Sequence, residues 1–205
     1  MKQKTKIKIC GMMRPEDIEA VNIYKPDLIG FVMADSWRRV STEKAARLKA
    51  LLSPEIRAVG VFVNEDIDVA ADIYRRGIID LVQLHGDEDD EYMARLKDIC
   101  GCGIIKAVPV GDSLPELPLV PDYLLFDSMS AERGGTGKVF DWDILKDYSG
   151  KPYFLAGGLS PENGAGAVKK LSPYCVDVSS GVDTSRTKDS EKIKNFINAI
   201  RGTKG

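Results

Sequence analysis

Several features that mark membrane-bound or nucleic-acid-binding proteins are missing from this sequence. No apolar stretch reaches the roughly 18 residues that a membrane span needs, and the charged opening MKQKTKIKIC does not resemble a signal peptide. The 29 Lys and Arg residues nearly balance the 31 Asp and Glu residues, leaving a formal net charge of -2 and no basic field for nucleic acid. We therefore expect a cytoplasmic protein whose partners include neither a membrane nor nucleic acid.

Cysteine and histidine are also scarce. The chain has four cysteines and one histidine, which is too few for a disulfide framework and favours a reducing compartment. Cys100 and Cys102 are spaced closely enough to suggest a metal site, but no second cysteine pair accompanies them and His85 stands alone. The sequence therefore predicts no metal.

What the chain does contain is a regular alternation of short apolar runs and longer amphipathic segments. The predicted strands are 6–10, 27–33, 56–63, 80–85, 103–110, 123–128, 152–158 and 175–181. The predicted helices are 15–24, 41–52, 66–77, 88–99, 141–148, 161–171 and 190–200. Strand followed by helix, repeated along the chain, predicts a parallel sheet.

Eight such strands favour closure into a single (β/α)₈ barrel that spans residues 1–205. The alternative is an open doubly wound sheet, but no GxGxxG motif follows the first strand, as a dinucleotide-binding unit would require. The fifth connection contains Pro115, Pro118 and Pro121, so its helix is predicted to be short or missing.

Residues at the carboxyl ends of barrel strands line one mouth, where barrel enzymes place their active sites. Cys10 ends the first predicted strand, and its thiol can be either a small buried apolar group or a base. Asp127 follows the apolar run YLLF and can either cap backbone amides or act as a general acid, since burial raises a carboxyl pKa. Asp177 is the acidic residue of the last strand.

Glycine-rich turns follow the seventh and eighth strands, in LAGGLSPEN (155–163) and DVSSGVD (177–183). Ser160 is predicted to cap a helix that starts at Pro161, and backbone amides in both loops would face an anion. They can be ordinary turns, but their position favours a phosphate site. Its predicted residues are Gly157, Gly158, Ser180 and Gly181.

Two further side chains belong to the same mouth. An isolated arginine is usually solvated, but Arg38, which follows the second strand, could hold a carboxylate through two parallel hydrogen bonds. His85, after the fourth strand, is read more safely as structural.

Eight short motifs now assembled resemble, in order, those of the phosphoribosylanthranilate isomerase family. They are KICG (8–11), GFVMADSWRRVS (30–41), VGVFVNE (59–65), QLHG (83–86), FDS (126–128), GGTGKVFDW (134–142), LAGGLSPEN (155–163) and DVSSGVD (177–183). Each is weak alone. Together they extend over nearly the whole chain and are highly specific.

The resemblance implies an Amadori rearrangement of phosphoribosylanthranilate to the 1-amino-1-deoxyribulose phosphate, with neither cofactor nor metal. It implies that Asp127 is the general acid, that Cys10 is the base as a thiolate, and that Arg38 holds the anthranilate carboxylate. Asp177 and His85 would be supporting residues near the substrate. The loop GGTG (134–137) would close over the substrate, and the enzyme would be a monomer or homodimer.

The chain departs from the family pattern at three positions. Met13 replaces a common threonine, Trp37 replaces a common proline beside Arg38, and Gly164 replaces a common valine. Met13 removes a possible hydroxyl contact from the first loop. Trp37 could change the shape of the Arg38 loop, and Gly164 could loosen the start of the seventh helix. The alternatives are a related phosphate-binding barrel isomerase and a binding protein without catalysis.

Overall fold

The strands form a closed barrel in the computed structural model, which describes residues 4–128 and 140–203. All neighbours are parallel, and β8 returns to pair with β1. The strands are β1 (Lys6–Cys10), β2 (Leu28–Val32), β3 (Arg57–Phe62), β4 (Leu81–Leu84), β5 (Ile104–Val110), β6 (Tyr123–Ser128), β7 (Tyr153–Leu155) and β8 (Cys175–Val178). The predicted fold class is thereby confirmed.

Six α-helices cover the barrel in the described part of the chain. They are α1 (Pro15–Tyr24), α2 (Thr42–Leu51), α3 (Ile67–Arg75), α4 (Asp90–Cys100), α5 (Gly164–Leu171) and α6 (Ser190–Arg201). Side chains at Ser41, Asp66, Asp89 and Asp189 accept hydrogen bonds from first-turn amides, which fixes where α2, α3, α4 and α6 begin. None of the described helices has the length and apolar character needed to cross a bilayer.

Side-chain alternation along the strands separates the outer core from the barrel interior. Ile7 and Ile9 of β1 belong to the large cluster between strands and helices, whereas Lys8 and Cys10 have the opposite parity and face inward. A separate apolar cluster fills part of the interior and consists of Leu28, Val59, Leu81, Ile105, Ala107, Leu125, Phe154, Ala156 and Cys175. The buried Lys8 therefore shares the barrel interior with apolar side chains.

The connection between β5 and β6 has no helix in residues 111–122, as the three prolines predict. It is instead fastened to α4. Asp90 accepts hydrogen bonds from the amides of Leu119 and Val120, and Lys97 donates to the carbonyl of Val120.

The helix predicted over 141–148 is wrong. The structure has only a short 3₁₀ helix, Trp142–Leu145, in which Leu145 alone is fully buried. Gly150 and Pro152 follow within two turns, so little packing is available to stabilise a longer helix.

The predicted start of the seventh helix at Pro161 is also wrong. Residues 161–163 form a turn, and α5 begins at Gly164. A side chain at Gly164 would meet Phe196 at 2.8 Å, so the glycine lets α5 approach α6 closely.

Strands β7 and β8 end earlier than predicted because Gly157 and Gly158 have positive φ and Ser180–Val182 forms a 3₁₀ turn.

Candidate active site

One cavity of about 210 Å³ lies at the mouth formed by the carboxyl ends of the strands. Most of the residues predicted for the site line it together: Cys10, Arg38, His85, Asp127, Gly157, Gly158, Asp177 and Ser180. Gly181 is not among the lining residues, but it packs against the loop that follows β7.

Cys10 ends β1 with its side chain almost completely buried, at 8% exposure. Gly30 on the neighbouring strand makes room for the thiol, since a Cβ at that position would lie 2.6 Å from the Cys10 Sγ. The chain then turns at Gly11, whose φ of +88° favours glycine. The amides of Gly11 and Met12 both donate to the Gly30 carbonyl and hold this turn.

Opposing electrostatic effects act on the Cys10 thiol. Burial raises its pKa, while the positive charges of Lys8 and Lys188 lower it and the Asp177 carboxylate raises it. Lys8 is fully buried and its Nζ lies 2.7 Å from Asp177 Oδ2. Burial alone would lower the pKa of Lys8, but Asp177 reverses that effect and raises it. Lys8 is therefore a permanent cation close to the thiol.

Asp127 lies near the end of β6, with a quarter of its side chain exposed. Its Oδ1 accepts a hydrogen bond from the amide of Ser128 at 2.8 Å. Gly157 packs against this turn, and a Cβ there would lie 2.9 Å from Asp127 Oδ1. The hydrogen bond from Ser128 therefore holds the Oδ1 oxygen of a carboxyl group whose residue lines the cavity.

The imidazole of His85 lies beside Asp127. Its Nε2 lies 3.6 Å from Asp127 Oδ2, which is too long for a direct hydrogen bond. Its Nδ1 lies 3.0 Å from Gln83 Nε2. When the Gln83 amide donates to Nδ1, the neutral imidazole carries its proton on Nε2, the nitrogen that faces Asp127.

The loops after β7 and β8 are in direct contact. A Cβ on Gly181 would lie 1.9 Å from the carbonyl oxygen of Leu159, so only glycine fits between them. The amides of Gly157, Gly158, Ser180 and Gly181 donate to no other described residue. These amides are available to an anion.

The prediction that Ser160 caps α5 is wrong. The amide of Ser160 donates to Asn163 Oδ1, and Asn163 Nδ2 donates to the carbonyl of Gly158. Asn163 occupies the N-cap position and its side chain bonds the preceding loop rather than the helix. The loop is shaped by this asparagine, so the helix begins after it.

Arg38 is held by contacts that sequence reasoning did not identify. Its Nη2 donates to Asp183 Oδ2 at 2.9 Å, and its guanidinium lies 4.0 Å from the centroid of the Trp37 ring. Asp183 is also bound by Lys188 at 2.6 Å, and Lys188 donates to the carbonyl of Ser179. Part of the guanidinium is therefore already engaged, and the Nε is buried with no acceptor among the described residues.

Lys8, Gln83, Asp183 and Lys188 were all missed by sequence reasoning. The parity of β1 could have identified Lys8, because it faces the same way as Cys10. Asp183 and Lys188 meet through a short hairpin whose turn, at Ser185 and Arg186, has positive φ. Those two turn residues gave no glycine or asparagine signal for such a turn.

The expectation that GGTG (134–137) closes over the substrate falls on residues outside those that the structure describes. Within 4–128 and 140–203, no group of three or more His, Cys, Asp or Glu side chains is placed to hold a metal ion.

The chain is similar to known proteins over almost its whole length. A family model described as N-(5′-phosphoribosyl)anthranilate isomerase matches residues 7–199. The N-(5′-phosphoribosyl)anthranilate isomerase of Endomicrobium trichonymphae is 49% identical over 197 residues, covering 96% of this chain and 98% of that protein.

Solved structures are similar over the same extent. A phosphoribosyl anthranilate isomerase structure from Thermotoga maritima has a TM-score of 0.85 and 34% identity, over 97% of this chain and 99% of that one. Another, in complex with reduced 1-(o-carboxyphenylamino)-1-deoxyribulose 5-phosphate, has a TM-score of 0.82 and 31% identity, over 97% and 99%.

Proposed function

The chain belongs to the N-(5′-phosphoribosyl)anthranilate isomerase family, and on that premise we propose how its residues carry out the reaction. The enzyme rearranges N-(5′-phosphoribosyl)anthranilate to 1-(o-carboxyphenylamino)-1-deoxyribulose 5-phosphate. The observation that carries the assignment of roles is that a thiol, a carboxyl, a guanidinium and free loop amides line one cavity.

Ring opening is assigned to Asp127. As a carboxylic acid it donates its proton to the furanose ring oxygen while the bond from that oxygen to C1′ breaks, and the anthranilate nitrogen forms a Schiff base with C1′. The Ser128 amide holds one carboxyl oxygen, and the other lies on the side of His85. His85 Nε2 lies 3.6 Å from that second oxygen.

Proton abstraction is assigned to Cys10. Its thiolate removes the proton from C2′ and gives the enolamine, which then ketonises as C1′ gains a proton and the C2′ hydroxyl loses one. Burial raises the pKa of Cys10 and so disfavours the thiolate, whereas the positive charge of Lys8 lowers that pKa and favours formation of the thiolate. This division of roles explains a lysine in the barrel interior.

The two ends of the substrate are assigned to separate binding groups. Gly157, Gly158, Ser180 and Gly181 would hold the phosphate with the amides that other described residues leave free. Arg38, on the loop after β2, would hold the anthranilate carboxylate, and Asp177 would support the site through Lys8. Fixing both ends leaves the acid and base to act on the carbons between them.

We also propose that residues 1–205 act as one catalytic domain, in the cytoplasm, as a monomer or homodimer. No cofactor takes part in the proposed steps.

The experiment for this function follows the fluorescence of freshly generated phosphoribosylanthranilate on addition of the purified protein. We expect fluorescence to decay in proportion to enzyme concentration, and we expect no turnover of the aminoaldose substrate of histidine biosynthesis, which is followed separately by absorbance. A folded protein that leaves phosphoribosylanthranilate unchanged would overturn the proposal, and turnover of the histidine-pathway substrate alone would support a related barrel isomerase instead.

A further inference from the structure

Trp37 is one of the few large apolar side chains that the structure leaves exposed. It lies on the loop between β2 and α2, has 45% of its surface exposed and lines the cavity at the barrel mouth. The loop is ordered around it, because Ser36 accepts hydrogen bonds from the amides of Arg38 and Arg39. Because the indole is exposed yet held at the edge of the cavity, an interaction with its neighbours accounts for its position.

Two guanidinium groups approach this indole from different parts of the chain. Arg38 lies 4.0 Å from the ring centroid, and Arg186 lies 5.6 Å from it. Arg186 is at the tip of the hairpin formed by Asp183–Thr184 and Thr187–Lys188, which follows β8. Both distances are within the range of cation–π attraction. Trp37 therefore joins the loop after β2 to the hairpin after β8.

The contact between the Arg38 guanidinium and the Trp37 ring restrains the guanidinium in addition to its bond with Asp183. Asp183 binds only Nη2, which leaves rotation of the guanidinium plane unrestricted by that bond alone. A planar cation against an indole face is held in plane, and less side-chain freedom is then lost when a ligand binds. Gly11 packs closely against the Arg38 side chain, since a Cβ at that position would lie 2.7 Å from Arg38 Cδ.

We propose that Trp37 is a positioning residue that holds the Arg38 guanidinium, between its indole and Asp183, in the orientation that receives the carboxylate of the aromatic amine. The inference rests on the proposed function. Arg38 binds the carboxylate, and Trp37 acts through Arg38. Arg186 supports the stack from outside.

The test compares binding of two ligands to native protein and variants by titration calorimetry. One ligand is reduced 1-(o-carboxyphenylamino)-1-deoxyribulose 5-phosphate, and the other is the same compound without its carboxyl group. Trp37→Leu should weaken binding of the carboxylated ligand by about 3- to 10-fold, the range expected for a lost cation–π contact, and should leave the second ligand nearly unaffected. Trp37→Phe, which keeps an aromatic face, should restore most of the loss.

Kinetic constants provide a second measurement. For Trp37→Leu the loss should fall on KM for phosphoribosylanthranilate rather than on kcat, and Arg186→Ala should show a smaller change in the same direction. Leu119→Ala serves as the matched control, because Leu119 is an 80% exposed apolar side chain on the connection between β5 and β6 and does not line the cavity.

Equal weakening of both ligands in Trp37→Leu, or no weakening of either, would overturn the inference while leaving the isomerase assignment intact. The proposed function fails separately: native protein would then neither bind the carboxylated ligand nor turn over phosphoribosylanthranilate, and the inference would fall with it.

Discussion

Lys8 Nζ lies 2.7 Å from Asp177 Oδ2 inside the barrel, and Cys10 lies two residues further along the same strand face. A buried ion pair and a thiol thus share one interior region. The lysine lowers the pKa of Cys10 and the aspartate raises it, so the two members of the pair have opposite effects on the proposed base.

We predict that Lys8→Met raises the pKa of Cys10 further, because a nearby positive charge that lowers this pKa is removed. The measurement is the rate at which iodoacetamide alkylates Cys10 as a function of pH, followed by mass spectrometry of the Cys10 peptide. This separates Cys10 from the partly exposed Cys100.

Asp177→Asn is the matched variant for that experiment. It breaks the same ion pair but removes the negative charge, so the alkylation profile should move to lower pH. A merely structural disturbance would shift both profiles in one direction, and that result would contradict the electrostatic role of the pair.

The pH dependence of the native enzyme follows from the same group. Burial raises the pKa of Cys10, and the base must be deprotonated to act, so kcat/KM should rise with pH through a value above the ordinary thiol pKa of about 8.5. A profile of kcat/KM measured from pH 6 to pH 10 checks this. A plateau already reached near neutral pH, or loss of the alkaline rise only in variants other than Cys10, would argue for a different base.

The contact between the two proposed phosphate loops predicts the effect of Gly181→Ala. The new Cβ would lie 1.9 Å from the Leu159 carbonyl oxygen, so the loops must separate, and kcat/KM should fall by about 10- to 100-fold. Inhibition by inorganic phosphate should weaken in parallel.

Gly166→Ala in α5 is the control, because nothing lies within 4 Å of a Cβ at that position. Activity should be retained there, and helix stability should improve by about 1 kcal/mol. Unchanged phosphate inhibition in Gly181→Ala would show that the two loops do not hold the phosphate together.

Lys106 and Glu88 form a second buried pair at 2.8 Å, in which Glu88 also accepts the amides of Asn64 and Gly86. Lys106→Met would leave the carboxylate buried without its cation, so the free energy of unfolding should fall by about 3 to 5 kcal/mol. Urea unfolding measures this. Arg76→Met, which removes the exposed pair with Asp72, should cost under about 1 kcal/mol, and similar losses in both variants would contradict the argument.

The sequence predicted the barrel because its signals were local and repeated. The short apolar strands, the amphipathic segments between them and the prolines of the fifth connection are each recognised within a few residues. The helix starting at Pro161 failed for a different reason. The side chain of Asn163 forms hydrogen bonds with the amide of Ser160 and the carbonyl of Gly158. These bonds replace the helix cap predicted at Ser160, and the sequence pattern does not show which of the two arrangements forms.

The residues of the site likewise fall into those that the sequence predicted and those that it did not. Cys10, Asp127 and the loop glycines were found because each lies at or just after the carboxyl end of a strand, and the barrel brings these ends together. The ion pair between Arg38 and Asp183 was not found, since Asp183 lies 145 residues away along the chain. A long-range side-chain pair of this kind carries no periodic signal.

The most direct test of the account is turnover of phosphoribosylanthranilate by Cys10→Ala and Asp127→Asn, each confirmed to be folded and to bind the reduced product analogue. We expect each variant to lose at least about 100-fold in kcat, the usual contribution of a general acid or base, while affinity for the analogue stays close to that of the native enzyme. Turnover within about tenfold of the native rate in either variant would contradict the assignment of that residue as acid or base.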